Sequence, residues 1–267
     1  MKWLVVTTGL FGTILVLLSS ACGGGQSISV KPPDPPVGKP VLPDIAPAPP
    51  LNLELSKEKG RLLLRFSTLL ENVGDGDFIL RASRVIGDWQ VYQDVQYSKS
   101  GAKPYLTPAQ LVWGGDGHNH WHVRRVAFNR LLPMKDGKPV AGAKGWPAAK
   151  IGFCYFDGLR QLDDAAQDPV YSRFSCGSST SDTAIGMGLS WGWSDLYPFM
   201  LPGQSVDVTD VPDGRYRLLV QVDDQKWFHE ASRSNNVTWT DLTLATTPSG
   251  ARVMRDITQG PSIPDSS

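Results

Sequence analysis

Ser205-Val206-Asp207-Val208-Thr209-Asp210-Val211 runs into Pro212-Asp213-Gly214 and then into Arg215-Tyr216-Arg217-Leu218-Leu219-Val220-Gln221-Val222-Asp223. The first stretch alternates apolar and polar residues almost strictly, which is the period of a half-buried strand. Pro-Asp-Gly is a turn signal, because proline presets φ and glycine tolerates positive φ. The third stretch again has strand composition. Working outward, Asn236-Val237-Thr238-Trp239-Thr240-Asp241-Leu242-Thr243-Leu244 alternates once more. On the other side, Leu62 to Leu70 is an apolar-rich run, Glu71 to Asp77 a turn, and Phe78 to Ala82 a resumed strand. Trp89 to Tyr97 alternates over several positions. No convincing helix start, long amphipathic helix or internal repeat interrupts the series. The expectation is an all-β, antiparallel, sandwich-like single domain with long loops and few short helices. The 27 glycines and 21 prolines point the same way.

The 267 residues carry 26 basic and 26 acidic side chains, so no excess positive field exists to hold nucleic acid. Lys2 followed by the apolar run Leu4 to Leu18 reads as an export signal, too short to span a bilayer comfortably as a mature helix. Residues 1–21 are assigned to it. Leu18-Ser19-Ser20-Ala21-Cys22, followed by three glycines, looks like a bacterial lipoprotein signal in which Cys22 is lipidated, although Ser19 stands where an aliphatic residue is usual. Such a chain is exported and lipid-anchored at the cell surface or periplasmic face, with membrane contact only through Cys22; simple secretion is the alternative. Residues 22–41, dense in Pro and Gly, read as an extended linker. Residues 42–246 read as the folded domain and 247–267 as a loose tail. Two further cysteines remain, Cys154 and Cys176. In an exported protein an isolated pair most often forms a disulfide.

Three of the four histidines fall in five residues, His118, His120 and His122. On an extended strand, positions i, i+2 and i+4 share a face, and a modest bend lets three imidazoles converge on one ion. Imidazole suits copper, zinc, iron and nickel. Three protein ligands leave a coordination position open, as in catalytic sites.

The segment Asp116-Gly117-His118-Asn119-His120-Trp121-His122 resembles the copper-binding motif of the lysyl oxidase family. The resemblance continues in order through Lys150-Ile151-Gly152-Phe153-Cys154, then Gly188 to Tyr197, then Val206 to Tyr216, and closes at Glu230 to Val237. It spans about Asp44 to Leu244. It implies copper on the three histidines. It also implies a lysine tyrosylquinone cofactor made from Lys150 and Tyr197, with Asp195 as a candidate base. A lysine amine adds to an oxidised tyrosine ring only when neutral, which asks for partial burial. The implied activity is oxidation of primary amines, small amines or protein lysine, by molecular oxygen to aldehydes, with ammonia and hydrogen peroxide released. A calcium site is implied at Asp44, Glu230, Asn235 and Asn236, with Ser232 standing where the family has an aspartate. Vertebrate members also carry a cysteine in the histidine segment that is missing here.

Two other readings stay open at the level of residues. One is a non-enzymatic metal-binding or adhesive surface lipoprotein on the same fold. The other is a zinc hydrolase with Asp116 as base, which nothing else in the sequence supports.

Overall fold

The alternating patterns become strands because each buries one face. In the computed structural model, residues 34–114, 118–150 and 152–262 are described. The export signal, Cys22, Asp116 and Ile151 lie outside them. Among the described residues no helix is long and apolar enough to cross a membrane, and the one helix is a single 3₁₀ turn, Arg173–Cys176. Everything else regular is antiparallel strand, as the sequence led one to expect.

One sheet runs through Ala127–Lys135, Gly214–Val222, Val237–Thr246 and Arg252–Gln259. A second is built on the long strand Arg61–Asn72, which pairs with Leu51–Glu58, Ile45–Pro47, Trp193–Tyr197 and Ser205–Asp207. Leu64 and Phe66 from the second sheet meet Leu131, Tyr216, Leu218, Leu242 and Leu244 from the first, with Val206, Val208 and Val211 between them. This is the apolar interior of a sandwich.

A third sheet joins Phe78–Val85, Asp88–Tyr97, Ala102–Thr107 and Ala184–Leu189. A short fourth joins Leu111–Trp113, Trp121–Arg124 and Gly152–Phe153. These share a second apolar cluster with the far end of the long strand: Leu70, Phe78, Leu80, Trp121, Val123, Phe153, Tyr155, Trp193 and Tyr197 all lie in it. The predicted turn Glu71 to Asp77 therefore does not make a hairpin. It carries the chain from one sheet into another, because Asn72 is held inside by its side chain, which accepts from Asp44 N–H and donates to Gly76 and Leu189 carbonyls.

Three boundaries differ from the reading of the sequence. The supposed tail supplies a strand, Arg252–Gln259, paired with Thr240 to Thr246. Arg252 is pinned to Asp213, and Trp239 C=O accepts from Gly260 N–H. That strand lies at the sheet's edge with one mostly exposed face, so its sequence lacks the apolar alternation that marks buried strands. The linker's end also joins the fold: Pro40–Val41 pairs with Gln96 and Tyr97. Lastly, the strand expected over 205–211 stops at Asp207. Asp207 Oδ1 accepts from both Thr209 N–H and Thr209 Oγ1, turning the chain two residues on. The alternation recorded the burial of Val206 and Val208 correctly, but not strand geometry, and Val211 is buried out of phase with it.

Candidate metal centre

Trp121 and Val123 point from their strand into the second apolar cluster, which leaves His122 on the opposite face. His122 is buried, and two glycines make room for it. A Cβ on Gly114 would lie 2.8 Å from the His122 ring, and one on Gly152 would lie 2.9 Å from His122 Cβ. His118 and His120 are not on the strand, contrary to the expected extended run. Asn119 between them has φ of +50°, a left-handed conformation that asparagine tolerates better than most residues. Gly114 N–H donates to His120 C=O, and Asn119 N–H donates to Gly114 C=O. The reversal swings both rings back over His122.

The result is a convergent triad. Its ligand nitrogens all lie within 4.8 Å of one another. The ring centroids are 4.7 to 5.5 Å apart, and the planes meet nearly edge to face. His120 Nε2 and His122 Nε2 are 3.0 Å apart. Two nitrogens bound to one ion at about 2.0–2.1 Å sit about 3 Å from each other, so the spacing suits a shared metal. Burial pushes the His122 imidazole down to about 2, with Lys150 adding to the effect. Burial also lowers His120. Both rings are thus held neutral, the form that binds metal.

Lys150, Tyr197 and Asp195 come together beside the triad. Lys150 is buried, with Nζ 4.7 Å from the Tyr197 ring centroid and 5.4 Å from that of Phe153. Phe153 meets Tyr197 edge to face at 4.8 Å. The Tyr197 hydroxyl donates to Cys154 C=O and accepts from Cys154 N–H, each at 2.7 Å. Tyr197 and Asp195 share one face of the strand Trp193–Tyr197, as the period-two argument required. Burial pushes the Asp195 carboxyl well up, and the positive charge of Lys150 opposes that. Neither carboxyl oxygen meets a partner in normal hydrogen-bond geometry among the described residues, but the Tyr197 hydroxyl lies near enough to interact with it. Burial, reinforced by Asp195, pushes the Tyr197 phenol up as well.

Cys154 and Cys176 form the expected disulfide, with Cα atoms 6.0 Å apart. It ties the main chain that grips Tyr197 to the 3₁₀ turn Arg173–Cys176. That turn walls a cleft of about 450 Å³ over His118 and His120, with Arg173, Phe174, Leu201 and Pro202 along its sides. Lys150 also forms part of the lining of a separate cleft of about 270 Å³, together with Arg124, Arg125 and Arg130. The sequence reading missed Phe153 as a clamp, the two glycines beside His122, and Arg173. Only Arg173 left a signal, its place three residues before a disulfide cysteine.

The oxygen-bearing residues near the domain ends also meet. Asp44 Oδ1 accepts from Asn235 Nδ2 at 3.1 Å, and Glu230 Oε2 from Asn236 Nδ2 at 3.0 Å. The buried Oδ1 atoms of Asn235 and Asn236 have no hydrogen-bond partner. Burial pushes Glu230 up to about 7 and raises Asp44. Two buried carboxyls and two orphaned amide oxygens suit a hard cation. Ser232 does not join them; its hydroxyl bonds Ser234. Arg233 does approach, with Nη1 3.3 Å from Glu230 and 2.6 Å from Asp223.

Comparison with known proteins gives a family model described as lysyl oxidase, matched over residues 91–252. Among similar curated proteins are protein-lysine 6-oxidase of Gallus gallus, 27% identical over 68% of this chain and 34% of its own length, and protein-lysine 6-oxidase of Homo sapiens, 28% identical over 68% and 34%. Lysyl oxidase homolog 1 of Homo sapiens is 28% identical over 66% of this chain and 24% of its own. The chain thus spans about a third or less of these relatives' length.

Proposed function

Because the chain belongs to the lysyl oxidase family, we propose that it is a copper-dependent amine oxidase whose organic cofactor is made by joining Lys150 to Tyr197. The overall reaction is RCH₂NH₂ + O₂ + H₂O → RCHO + NH₃ + H₂O₂. The observation that carries the reading is the placement of the Lys150 amine 4.7 Å over the Tyr197 ring, next to three converging histidines. Burial of the amine over an aromatic face, beside a buried carboxyl, brings the two groups the cofactor would join into contact distance.

His118, His120 and His122 would hold copper. When bound, the metal and the quinone supply redox chemistry that side chains lack. The chain's own residues do the positioning. The Cys154 main chain fixes the Tyr197 hydroxyl from two sides, and Phe153 fixes the ring edge-on. Lys150 is thereby held over one face of the ring. Asp195 lies on the same strand face as Tyr197 and close enough to its hydroxyl to interact with it, placed to take a proton from a substrate carbon held at that ring. Burial pushes its carboxyl up, while the positive charge of Lys150 and the interaction with the Tyr197 hydroxyl favour the ionised form that would accept the proton. Calcium is assigned to Asp44, Glu230, Asn235 and Asn236, without Ser232. Export, and lipid attachment at Cys22, complete the reading.

The test is a digest of copper-loaded, oxygen-exposed protein analysed by mass spectrometry, with a quinone stain in parallel. A peptide pair joined through Lys150 and Tyr197, and stain lost in Tyr197→Phe, is the expected result. Separate, unmodified peptides and no stain would leave only a metal-binding protein on this fold. The burial of Tyr197, at 3% exposure, is the observation that favours that second reading.

A further inference from the structure

Among the described residues, two clefts border the site, one over His118 and His120 and one lined in part by Lys150, and both carry an excess of arginine. In the cleft over His118 and His120, the only charged side chain among the described lining residues is Arg173. Its charge is close enough to be felt at His120. Beside it stand Phe174, 77% exposed, and Leu201, an apolar lip that would suit a hydrocarbon chain. In the second cleft, whose lining includes Lys150, the three guanidinium groups of Arg124, Arg125 and Arg130 face a single carboxylate, Asp224. That carboxylate is already taken, with Arg125 Nη2 2.6 Å away. The buried Nε of Arg130 has no hydrogen-bond partner. The whole chain has zero net charge, so this positive bias belongs to the openings. A concave site lined by one sign of charge focuses the field and selects ligands by charge.

We infer that the amine admitted here carries an anionic group at its far end, and that diamines and lysines set among basic residues are disfavoured. The amine must approach an electrophilic ring beside Lys150, so a second cation on the substrate would sit against arginine whichever opening it used. A carboxylate there would instead pair with a guanidinium, in the planar two-bond geometry that arginine offers. The inference rests on the amine-oxidase reading for the amine end, but the charge preference is a property of the openings themselves.

Three probes share a six-carbon chain and differ only at the far end: 6-aminohexanoate, hexylamine and 1,6-diaminohexane. On the full copper-loaded chain, kcat/KM from peroxide release should fall in that order, with at least about a tenfold gap between first and last at low salt, shrinking as salt is added. Binding of the same probes by ligand-observed NMR should follow the same order without needing turnover. Arg173→Glu and Arg124→Glu, both exposed positions, are compared singly and together, with Arg173→Gln and Arg124→Gln as milder variants. The reversal at the opening that admits the amine should invert the order. A preference for the diamine in the unmodified chain, or an order indifferent to both reversals, overturns the inference. A protein that binds in the expected order yet neither stains for quinone nor releases peroxide sinks the oxidase reading and leaves the charge preference standing.

Discussion

The two apolar interiors of this domain are built on opposite rules. The sandwich interior is mainly aliphatic: Leu64, Leu131, Val206, Leu218, Leu242 and Leu244 interlock with Phe66, and its one tyrosine, Tyr216, satisfies its hydroxyl on Pro212 C=O. The site interior mixes aliphatic residues with more rings, among them Phe78, Trp121, Phe153, Tyr155, Trp193, Tyr197 and Phe228; it includes a disulfide and lies against buried Lys150, Asp195 and Asp157. Asp157 there accepts from the Ser190 main chain and hydroxyl and from the main-chain N–H groups of Val170 and Tyr171, so it folds a long loop around itself. The first interior holds the domain together. The second spends polar burial on placing groups, and loops as much as strands furnish its walls. The lesson is that damage to the first should be read in stability, and damage to the second in chemistry.

The largest effect that would sharpen this contrast is His122→Ala. Even removing a partner behind a metal ligand costs about 10–100-fold in affinity, so losing a ligand should cost at least about 100-fold, measured as copper retained after dialysis. Near-UV circular dichroism should stay close to that of the unaltered chain. Copper retained unchanged would break the assignment of the triad. Next comes Leu218→Ala in the sandwich interior. It should destabilise by about 2–5 kcal/mol and lower Tm by roughly 2–4 °C per kcal/mol, while copper content per folded chain is unaltered. A variant that kept its stability but lost copper would invert the comparison.

Replacing both Cys154 and Cys176 by serine tests whether one feature serves both ends. The chain-entropy model gives about 3 kcal/mol for a loop of this length, readable in urea unfolding. Because Cys154 also grips Tyr197, the yield of the Lys150–Tyr197 cross-link should fall in the protein that remains folded. An intact yield would mean that the main-chain grip does not need the disulfide. The smallest effect concerns the cation site at the edge of the site interior. Calcium at about 100 times its Kd adds about 2.7 kcal/mol, so chelation should lower Tm and calcium should restore it. Arg233 already brings positive charge to Glu230, and Arg233→Gln should therefore tighten calcium binding. A Tm indifferent to chelator in the unaltered chain but sensitive to it in Arg233→Gln would show that the guanidinium has taken over the cation's place; indifference in both proteins would remove the calcium assignment.

Much of this was legible in the chain itself. Period-two alternation located the strands of the sandwich, because burial of one face is a local constraint written into neighbouring residues. The spacing of His118, His120 and His122 pointed to a cluster of metal-ligating side chains, and the isolated pair Cys154 and Cys176 pointed to the disulfide. Where local patterns failed, the cause was nonlocal. The strand Arg252–Gln259 exists only because Val237–Thr246 offers it an edge, so its own composition says little. The histidines converge through a left-handed Asn119 rather than along a strand, since the main-chain bonds between Gly114 and His120 turn them back. No periodicity could bring Lys150 over Tyr197 or set Arg173 at the mouth of the histidine cleft. Those placements come from sheets and a disulfide that join segments far apart in sequence. The sequence determined which residue types were present for the chemistry; the tertiary structure decided which of them face one another, because distance between side chains is set by packing and not by position along the chain.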